Sequence, residues 1–353
     1  MTAGEDAAVA KADTDLRWGI VGVGDMGANI ARSVMEHGFG AKVFDRRREP
    51  LDELSRLGAK VVSSLEELSQ SANVISVVVV DDDQVRDVIT TMIDTARAGT
   101  IFIVHSTVRP STVIDLARLA QASEMDAMDA GVTGGPEKAE IGRLTLLIGG
   151  SNESVQRCSP LLEAMGANLF HLGPAGAGVA GKLVNNLLSI GGYALQLEAM
   201  DLARAYGIAE ETATSFLVVG GGDSRGIRTW GRLDRIRRTH PVFGGTPHIY
   251  EHMSKDLREA AEAGAERATI LPLAAVAGEL LPRKMLRRDE MLGNTTADAP
   301  RCRGCHQDLA KPFREQGFHP ECVDLPTAAS STSQTPQSRH PIQQEGNSER
   351  HRP

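Results

Sequence analysis

Several features that would place this chain in other classes of protein are missing from its sequence. It has four cysteines in 353 residues, and three of them fall between 302 and 322, so it lacks the disulfide framework of a small secreted protein. No apolar run approaches the roughly 18 residues that a membrane-spanning helix requires. Basic residues are not in excess, because 38 lysines and arginines face 46 aspartates and glutamates. The resulting net charge of −8 argues against a surface that binds nucleic acid.

The bulk of the chain is predicted to be globular. Its composition is 41% hydrophobic and 24% charged, and 353 residues are enough for two domains of ordinary size. The N-terminal segment 1–15 contains acidic residues and no apolar core, so we expect a disordered leader, no signal peptide, and a cytoplasmic protein that binds no membrane. The polar segment 323–353, rich in Pro, Ser, Gln and Thr, predicts a disordered tail.

Strand-like and helix-like segments alternate from residue 16 to residue 173. Strands are predicted at 17–22, 41–45, 59–62, 73–80, 100–105, 125–130, 144–150 and 167–170. The run VISVVVV is apolar on both faces of a strand, which is typical of a sheet covered by helices on both sides. This region therefore predicts an α/β fold with a doubly wound parallel sheet, a Rossmann domain. From 174 to 290, Ala/Leu-rich helical patterns replace the strands and predict an all-α second domain.

A Cys/His-rich segment lies in the predicted C-terminal appendage, residues 291–322. Two residues stand between Cys302 and Cys305, and two stand between His319 and Cys322. Thirteen residues separate the two pairs. Two such pairs can bind zinc tetrahedrally, and so short a segment has little other means of folding. We predict a zinc site there, with His306 as an alternative to His319; free thiols in a tail are the alternative to a metal site.

A glycine-rich loop follows the first predicted strand and begins a helix. The sequence GVGDMG has the spacing Gly22-x-Gly24-x-x-Gly27. Such glycines permit a tight turn and a close approach of a pyrophosphate to the free N–H groups of the helix. We interpret this loop as a dinucleotide-binding site with Gly22, Gly24, Asp25, Met26 and Gly27 as cofactor contacts.

The residues after the second strand bear on the choice of cofactor. Asp45 ends that strand 18 positions after Gly27, where a carboxylate can accept hydrogen bonds from ribose hydroxyls and repel a 2′-phosphate. Arg46 to Arg48 follow, and arginines there can instead bind a 2′-phosphate. Asp45 favours NAD, NADP stays open, and Arg46 is a further candidate contact to the cofactor.

Two later motifs contain polar groups in unusual settings. Thr133, Gly134 and Gly135 offer a hydroxyl and successive backbone N–H groups, a nest suited to a carboxylate. Lys182 lies inside an apolar helical run, with Asn186 one turn later on the same face. A lysine whose stem merely covers apolar surface is the alternative interpretation of Lys182.

Four motifs in sequence order resemble the β-hydroxyacid dehydrogenase family, which includes 3-hydroxyisobutyrate dehydrogenase. They are GVGDMG (22–27), DAGVTGG (129–135) with GRLT (142–145), GAGVAGKLVNN (176–186) and SKDL (254–257). The resemblance implies an NAD(P)-dependent oxidoreductase that acts on a short β-hydroxy acid and assembles as a homodimer or homotetramer. It also implies that the helical domain, 174–290, serves substrate binding and oligomerisation. Within that resemblance, Asn185 and Asn186 argue against the decarboxylating 6-phosphogluconate branch, and Lys182 argues against an imine reductase.

The resemblance also implies roles for particular residues. Lys182 is the expected general acid/base, and Asn186 the residue that holds the substrate hydroxyl or orients the ammonium. Ser106 is expected beside the nicotinamide and the substrate, and Lys255 is expected to close over both, with Asp256 supporting it. An ordinary exposed helix patch is the alternative for Lys255.

The chain departs from the family pattern at three positions near these motifs. His105 replaces an acidic residue, Gly131 a proline, and Thr133 a serine, so the substrate is left open by the sequence. Arg225 and Arg228 belong either to a solvated helix face or to a site for a second anionic group on the substrate. Two other functions stay open: a reductase for a related carbonyl acid with such a group, and a nicotinamide-fold protein whose cysteine tail docks a partner.

Overall fold

The structure is a computed structural model that describes residues 16–239 and 249–293. Both described stretches belong to one compact unit. The predicted leader (1–15), the cysteine cluster and the predicted tail (323–353) lie outside the described residues.

Eight strands in the described part of the chain form a single sheet in the order β3-β2-β1-β4-β5-β6-β7-β8. The strands are β1 (Trp18–Val21), β2 (Ala41–Phe44), β3 (Lys60–Val61), β4 (Val74–Val77), β5 (Ile101–Val104), β6 (Asp126–Thr133), β7 (Leu144–Gly149) and β8 (Gly166–Gly173). β1 pairs in parallel with β2 and β4, so that Trp18 lies opposite both Ala41 and Val74. The predicted doubly wound Rossmann sheet is confirmed, and each predicted strand corresponds to one observed strand.

Helices cover both faces of this sheet and then continue without strands after β8. The helices that accompany the sheet are α1 (Asp25–Glu36), α2 (Glu49–Arg56), α3 (Leu65–Ser71), α4 (Asp82–Ile93), α5 (Pro110–Gln121), α6 (Pro136–Glu140) and α7 (Asn152–Met165). The later helices are α8 (Ala177–Asn186), α9 (Gly192–Ala205), α10 (Glu210–Val219), α11 (Arg225–Arg228), α12 (Arg232–Thr239), α13 (Ile249–Glu266) and α14 (Pro272–Met291). A π-helical turn over Leu187–Gly191 joins α8 to α9.

The sheet is parallel except where β7 runs antiparallel to β6. The connection between these strands, 134–143, contains only the five-residue helix α6. A parallel pair requires a crossover of about a dozen residues or more. Because this connection is shorter than that, the chain returns in the opposite direction. β8 pairs in parallel with β7 and closes this edge of the sheet.

β4 is shorter than the predicted strand 73–80. It ends at Val77, and the N–H and carbonyl of Val79 both bond to the hydroxyl of Ser106 instead of to a neighbouring strand. The apolar run therefore continues beyond the strand as a loop, which lies at the carboxyl edge of the sheet beside the end of β5.

Two buried clusters form the core on the two faces of the sheet. One contains residues of α1, α2 and α7, and the other contains residues of α4, α5 and α8, including Val179 and Leu183. Helix α8 thus packs directly on the Rossmann sheet, while α9, α13 and α14 form a separate cluster around Leu197, Leu257 and Leu281. None of the described helices combines the length and apolar character needed to cross a membrane.

Candidate active site

The loop after β1 has the backbone that a bound pyrophosphate requires. Gly22 has φ +85°, and a Cβ there would lie 2.2 Å from the carbonyl oxygen of Val78. A Cβ on Gly27 would lie 2.0 Å from the carbonyl oxygen of Gly22, so the start of α1 packs directly on the loop. No side chain caps this helix, whose N-cap residue is Gly24, so its first N–H groups are available to an anionic ligand. Asp25 and Met26 form the first turn, and the loop fits the phosphates of a nicotinamide dinucleotide.

Asp45 lies at the end of β2 and is engaged by its own chain. Its carboxylate accepts the N–H of Val23 at 2.9 Å and the N–H of Arg47 at 2.9 Å. The guanidinium of Arg47 adds two contacts at 3.2 and 3.3 Å and also lies beside Gly24. A carboxylate accepts about four hydrogen bonds. Arg47 therefore holds the group that was predicted to bind ribose, whereas Arg46 is exposed.

Ser106 follows β5 at the carboxyl edge of the sheet. Its hydroxyl donates to the carbonyl of Val79 at 2.8 Å and accepts the N–H of Val79 at 2.9 Å. Both functions of the hydroxyl thus join the loop after β5 to the loop after β4. The role of Ser106 toward cofactor and substrate stays a prediction.

Lys182 lies on α8 with its stem against β6. A Cβ on Gly131 of β6 would lie 2.9 Å from Cβ of Lys182. Within the described residues, no hydrogen bond or ion pair engages the ammonium. Burial lowers the pKa of Lys182; nearby Asp256 opposes this shift and Lys255 adds to it.

Asp256 connects the other polar residues of this region. It accepts a hydrogen bond from Nδ2 of Asn186 at 2.7 Å and forms an ion pair with Nζ of Lys255 at 3.5 Å. Burial raises the pKa of Asp256, while the charges of Lys255 and Lys182 oppose that shift. Lys255 also donates to the carbonyl of Thr107, so it spans from α13 to the loop beside Ser106. Lys182, Asn186 and Lys255 thus lie around Asp256, the carboxylate that the family resemblance assigns to the support of Lys255.

The predicted carboxylate nest ends β6. Thr133 lies in the last position of the strand, and its hydroxyl is approached by Nδ2 of Asn185 at 3.5 Å. Gly134 and Gly135 follow with φ +135° and +83°, a conformation that side chains rarely adopt. Asn185 also donates to Oδ1 of Asn186 at 3.0 Å and so links the nest to Asp256.

His105 has a structural role behind the site. It is fully buried; Nδ1 lies 2.9 Å from the carbonyl of Ala130, and Nε2 lies 3.0 Å from the hydroxyl of Ser76. Ser76 in turn accepts the indole N–H of Trp18 at 3.0 Å. One proton arrangement satisfies every group: indole to serine, serine to Nε2, and Nδ1–H to the carbonyl. Burial lowers the pKa of His105 to about 4, so the ring is neutral at physiological pH.

The remaining candidate residues divide between the described and undescribed parts of the chain. Arg228 forms an ion pair with Asp223, and Arg225 is exposed on the short helix α11. Cys302, Cys305, His319 and Cys322 lie outside the described residues. Among the residues that the structure describes, no group of three or more His, Cys, Asp or Glu side chains could hold a metal ion.

Comparisons with known proteins agree with this arrangement. Residues 17–173 match the family described as the NAD binding domain of 6-phosphogluconate dehydrogenase. Residues 176–297 match the family described as NAD-binding of NADP-dependent 3-hydroxyisobutyrate dehydrogenase. Both parts of the chain, in this order, therefore resemble nicotinamide-dependent dehydrogenases.

Individual relatives extend over most of the chain. An uncharacterized oxidoreductase of Mycobacterium tuberculosis is 32% identical over 74% of this chain and 90% of its own. The 2-(hydroxymethyl)glutarate dehydrogenase of Eubacterium barkeri is 28% identical over 76% of this chain and 89% of its own. A crystal structure of 3-hydroxyisobutyrate dehydrogenase from Salmonella typhimurium superimposes with a TM-score of 0.66 at 27% identity, covering 76% of this chain and 94% of that one. The chain belongs to the β-hydroxyacid dehydrogenase family and is an NAD(P)-dependent hydroxyacid dehydrogenase.

Proposed function

We propose that the protein oxidises a short β-hydroxy acid of the 3-hydroxyisobutyrate type to the aldehyde or ketone, or runs the reverse reaction, with Lys182 as general acid/base. The observation that carries this proposal is the half-buried Lys182, whose ammonium has no hydrogen-bond or ion-pair partner among the described residues and whose pKa is lowered by desolvation. A lysine whose pKa moves toward the working pH can accept a proton in one direction and return it in the other.

The chemistry divides between cofactor and protein. When bound, a nicotinamide would supply the acceptor, or in reverse the donor, of the hydride at the hydroxyl-bearing carbon of the substrate. As the C–H bond of that carbon breaks, the substrate hydroxyl must lose its proton, and neutral Nζ of Lys182 accepts it. Asp256 then stabilises the ammonium that results, because the carboxylate raises the pKa of Lys182. Asn186 keeps Asp256 in place through its 2.7 Å hydrogen bond.

Substrate and cofactor have separate candidate binding groups. The substrate carboxylate is proposed to bind the hydroxyl of Thr133 and the backbone N–H groups of Gly134 and Gly135. Lys255 and Ser106 are proposed to lie beside the nicotinamide and substrate, where Lys255 already contacts the carbonyl of Thr107.

The cofactor is proposed to bind over the loop at α1, and NAD remains the proposed form. Asp45 can accept a ribose hydroxyl once Arg47 releases it, because the present contacts occupy about all four acceptor positions of the carboxylate. The guanidinium of Arg47 can then contact the adenosine or, in NADP, the 2′-phosphate. The choice of cofactor thus depends on Arg47 as well as on Asp45.

Assembly as a homodimer or homotetramer is also part of this proposal. Large apolar side chains are exposed along α8, the π-helical turn and α9, spaced by four and seven residues: Val184, Leu188, Leu195, Leu202 and Tyr206. Leu188 and Tyr206 are 80% and 79% exposed, which is unusual for a row on one helix face. Leu195→Glu should yield monomers by light scattering, whereas Leu119→Glu, at an exposed site on α5, should not; a wild-type monomer would contradict the proposal.

The experiment that tests the function follows formation of reduced nicotinamide from a panel of β-hydroxy acids with NAD or NADP. Lys182→Ala should lower kcat by about 10²- to 10⁴-fold, the usual contribution of a general acid/base, and leave cofactor affinity unchanged. Lys284→Ala is the matched control, because that lysine lies outside the proposed site and forms an ion pair of 3.1 Å with Glu198. Full turnover by Lys182→Ala, or no turnover of any hydroxy acid by cofactor-binding wild-type protein, would contradict the proposal.

A further inference from the structure

One buried carboxylate has no part in the proposed proton transfer. Asp129 lies on β6 with no solvent exposure. Its Oδ1 accepts the N–H of Gly176 at 2.6 Å, and its Oδ2 accepts the N–H of Val179 at 2.5 Å. These are N–H groups at the start of α8, where no helical carbonyl is available and where the helix dipole is positive. Asp129 therefore supplies the cap that the sequence of α8 itself lacks, since its N-cap residue is Gly176.

Glycines bring the start of α8 directly onto the sheet around this carboxylate. A Cβ on Gly149 of β7 would lie 2.6 Å from Oδ1 of Asp129 and 2.7 Å from the nitrogen of Gly178. A Cβ on Gly178 would lie 2.3 Å from the carbonyl oxygen of Leu147 and 2.7 Å from Oδ2 of Asp129. No side chain separates helix from strands here, so a change at Asp129 acts on the helix backbone itself.

Strand and helix advance in step from this point to Lys182. Gly131 is two residues after Asp129 on the same face of β6, and Lys182 is one turn after Gly178 on the same face of α8. Two residues of strand advance about 6.6 Å, and four residues of helix advance about 6.0 Å. Asp129 accordingly lies against Gly178, and Gly131 lies against Cβ of Lys182.

We propose that Asp129 is the positioning residue of Lys182: it fixes the start of α8 on β6 and thereby sets where the lysine amine meets the substrate. The proposal rests on the function proposed for Lys182. The lysine amine has no hydrogen bond of its own to hold it, so the backbone of α8 determines its place. Burial raises the pKa of Asp129 to about 7, and the hydrogen bonds from Gly176 and Val179 oppose that rise.

The same strand offers a matched control. Asp126, three residues before Asp129, lies on the opposite face of β6 and anchors α7. Its Oδ2 accepts the hydroxyl of Ser151 at 3.0 Å and that of Ser154 at the start of that helix. α7 carries none of the proposed site residues, so Asp126→Asn removes a comparable anchor without moving Lys182.

The test compares Asp129→Asn, Asp126→Asn and Lys182→Ala in the full-length enzyme. An amide has one acceptor oxygen, so Asp129→Asn leaves a helix N–H unpaired and lets α8 shift. A misplacement of about 1 Å can cost up to 10²-fold, so we expect kcat to fall about 10- to 100-fold. KM for the hydroxy acid and the Kd of the cofactor should stay unchanged, and Asp126→Asn should change none of the three.

The outcomes separate this proposal from the proposed function. Wild-type kcat in folded Asp129→Asn, or an equal loss in Asp126→Asn, overturns the positioning role while an inactive Lys182→Ala still supports the function. Active Lys182→Ala overturns the function itself. If Asp129→Asn does not fold, two measurements decide: slow amide exchange at Gly176 and Val179 in the wild type, and lower kcat with unchanged KM in Gly131→Ala. Fast exchange, or normal kcat in Gly131→Ala, overturns the proposal.

Discussion

Helices α1 and α8 begin in similar glycine-rich sequences but complete their N-termini in different ways. The N-terminus of α1, at Gly24, has no side-chain cap, and its N–H groups are available to a ligand. The N-terminus of α8, at Gly176, is closed by the buried carboxylate of Asp129. The positive end of a helix favours an anion. At α1 a bound ligand would supply that anion, whereas at α8 the protein's own Asp129 supplies it. The first arrangement is the proposed cofactor site, and the second is the proposed support for Lys182.

Behind β6, the buried side chain of His105 supports the strand that carries Asp129. Replacing His105 should have the largest of the effects predicted here, on the free energy of unfolding. His105 bonds to the carbonyl of Ala130, next to Asp129, and burial lowers the pKa of His105 from 6.5 to about 4. Between these values the unfolded chain binds a proton that the folded protein does not, so stability falls as pH falls from 6.5 to 4. The shift corresponds to about 3 kcal/mol of unfolding free energy.

Urea unfolding between pH 7 and pH 4 checks this expectation. His105→Gln should lose that part of the pH dependence, whereas His171→Gln, at an exposed histidine of β8, should retain it. Identical pH profiles for wild type and His105→Gln would show that the buried ring does not stay neutral.

On the external side, the turn at Gly22 should matter for the cofactor. Gly22→Ala introduces a Cβ 2.2 Å from the carbonyl oxygen of Val78 at a φ of +85°. We expect the Kd of NAD to rise about tenfold or more, since about 1.4 kcal/mol of strain in the bound loop suffices. Gly38→Ala has nearly the same φ, +87°, with nothing within 4 Å, so it carries the strain without the clash. Equal Kd values for both variants by fluorescence titration would remove the special role of the loop at α1.

A smaller effect is expected at Asp45, where the adenosine of the cofactor is proposed to bind, and it concerns the preference for NAD over NADP. Arg47→Ala removes the two guanidinium contacts to the carboxylate of Asp45 and also removes a cation that can contact a 2′-phosphate. The ratio of kcat/KM for NAD to that for NADP should rise about threefold to tenfold, in line with about 1 kcal/mol for one partly exposed charge contact. Arg118→Ala, which removes an exposed arginine that pairs with Asp115 at 3.5 Å on α5, serves as the control. A ratio that falls would mean that Arg47 favours NAD instead.

Sequence patterns predicted the local features of the two helix N-termini better than the long-range contacts around them. The strands, the loop at Gly22 and the motif around Lys182 are local patterns of period and spacing, and the structure has them where they were predicted. The cap on α8 joins Asp129 to Gly176, 47 residues apart, and the link from Asn186 to Asp256 spans 70 residues. Such contacts depend on how elements pack. Local patterns also do not predict that the guanidinium of Arg47 bonds to the carboxylate of Asp45, or that the backbone of Val79 bonds to the hydroxyl of Ser106.

Chemical rescue tests the role of Lys182 most directly. Lys182→Ala leaves space for a small primary amine, so added methylamine or ethylamine should restore part of the turnover with the preferred hydroxy acid. Rescue should increase with amine concentration, should depend on the amine's pKa, and should be absent in the wild type and in Lys284→Ala. That result would show that proton transfer at the amine of residue 182 limits the reaction. An inactive variant that no amine restores, in protein that still binds cofactor and substrate, would contradict the role of Lys182 as general acid/base.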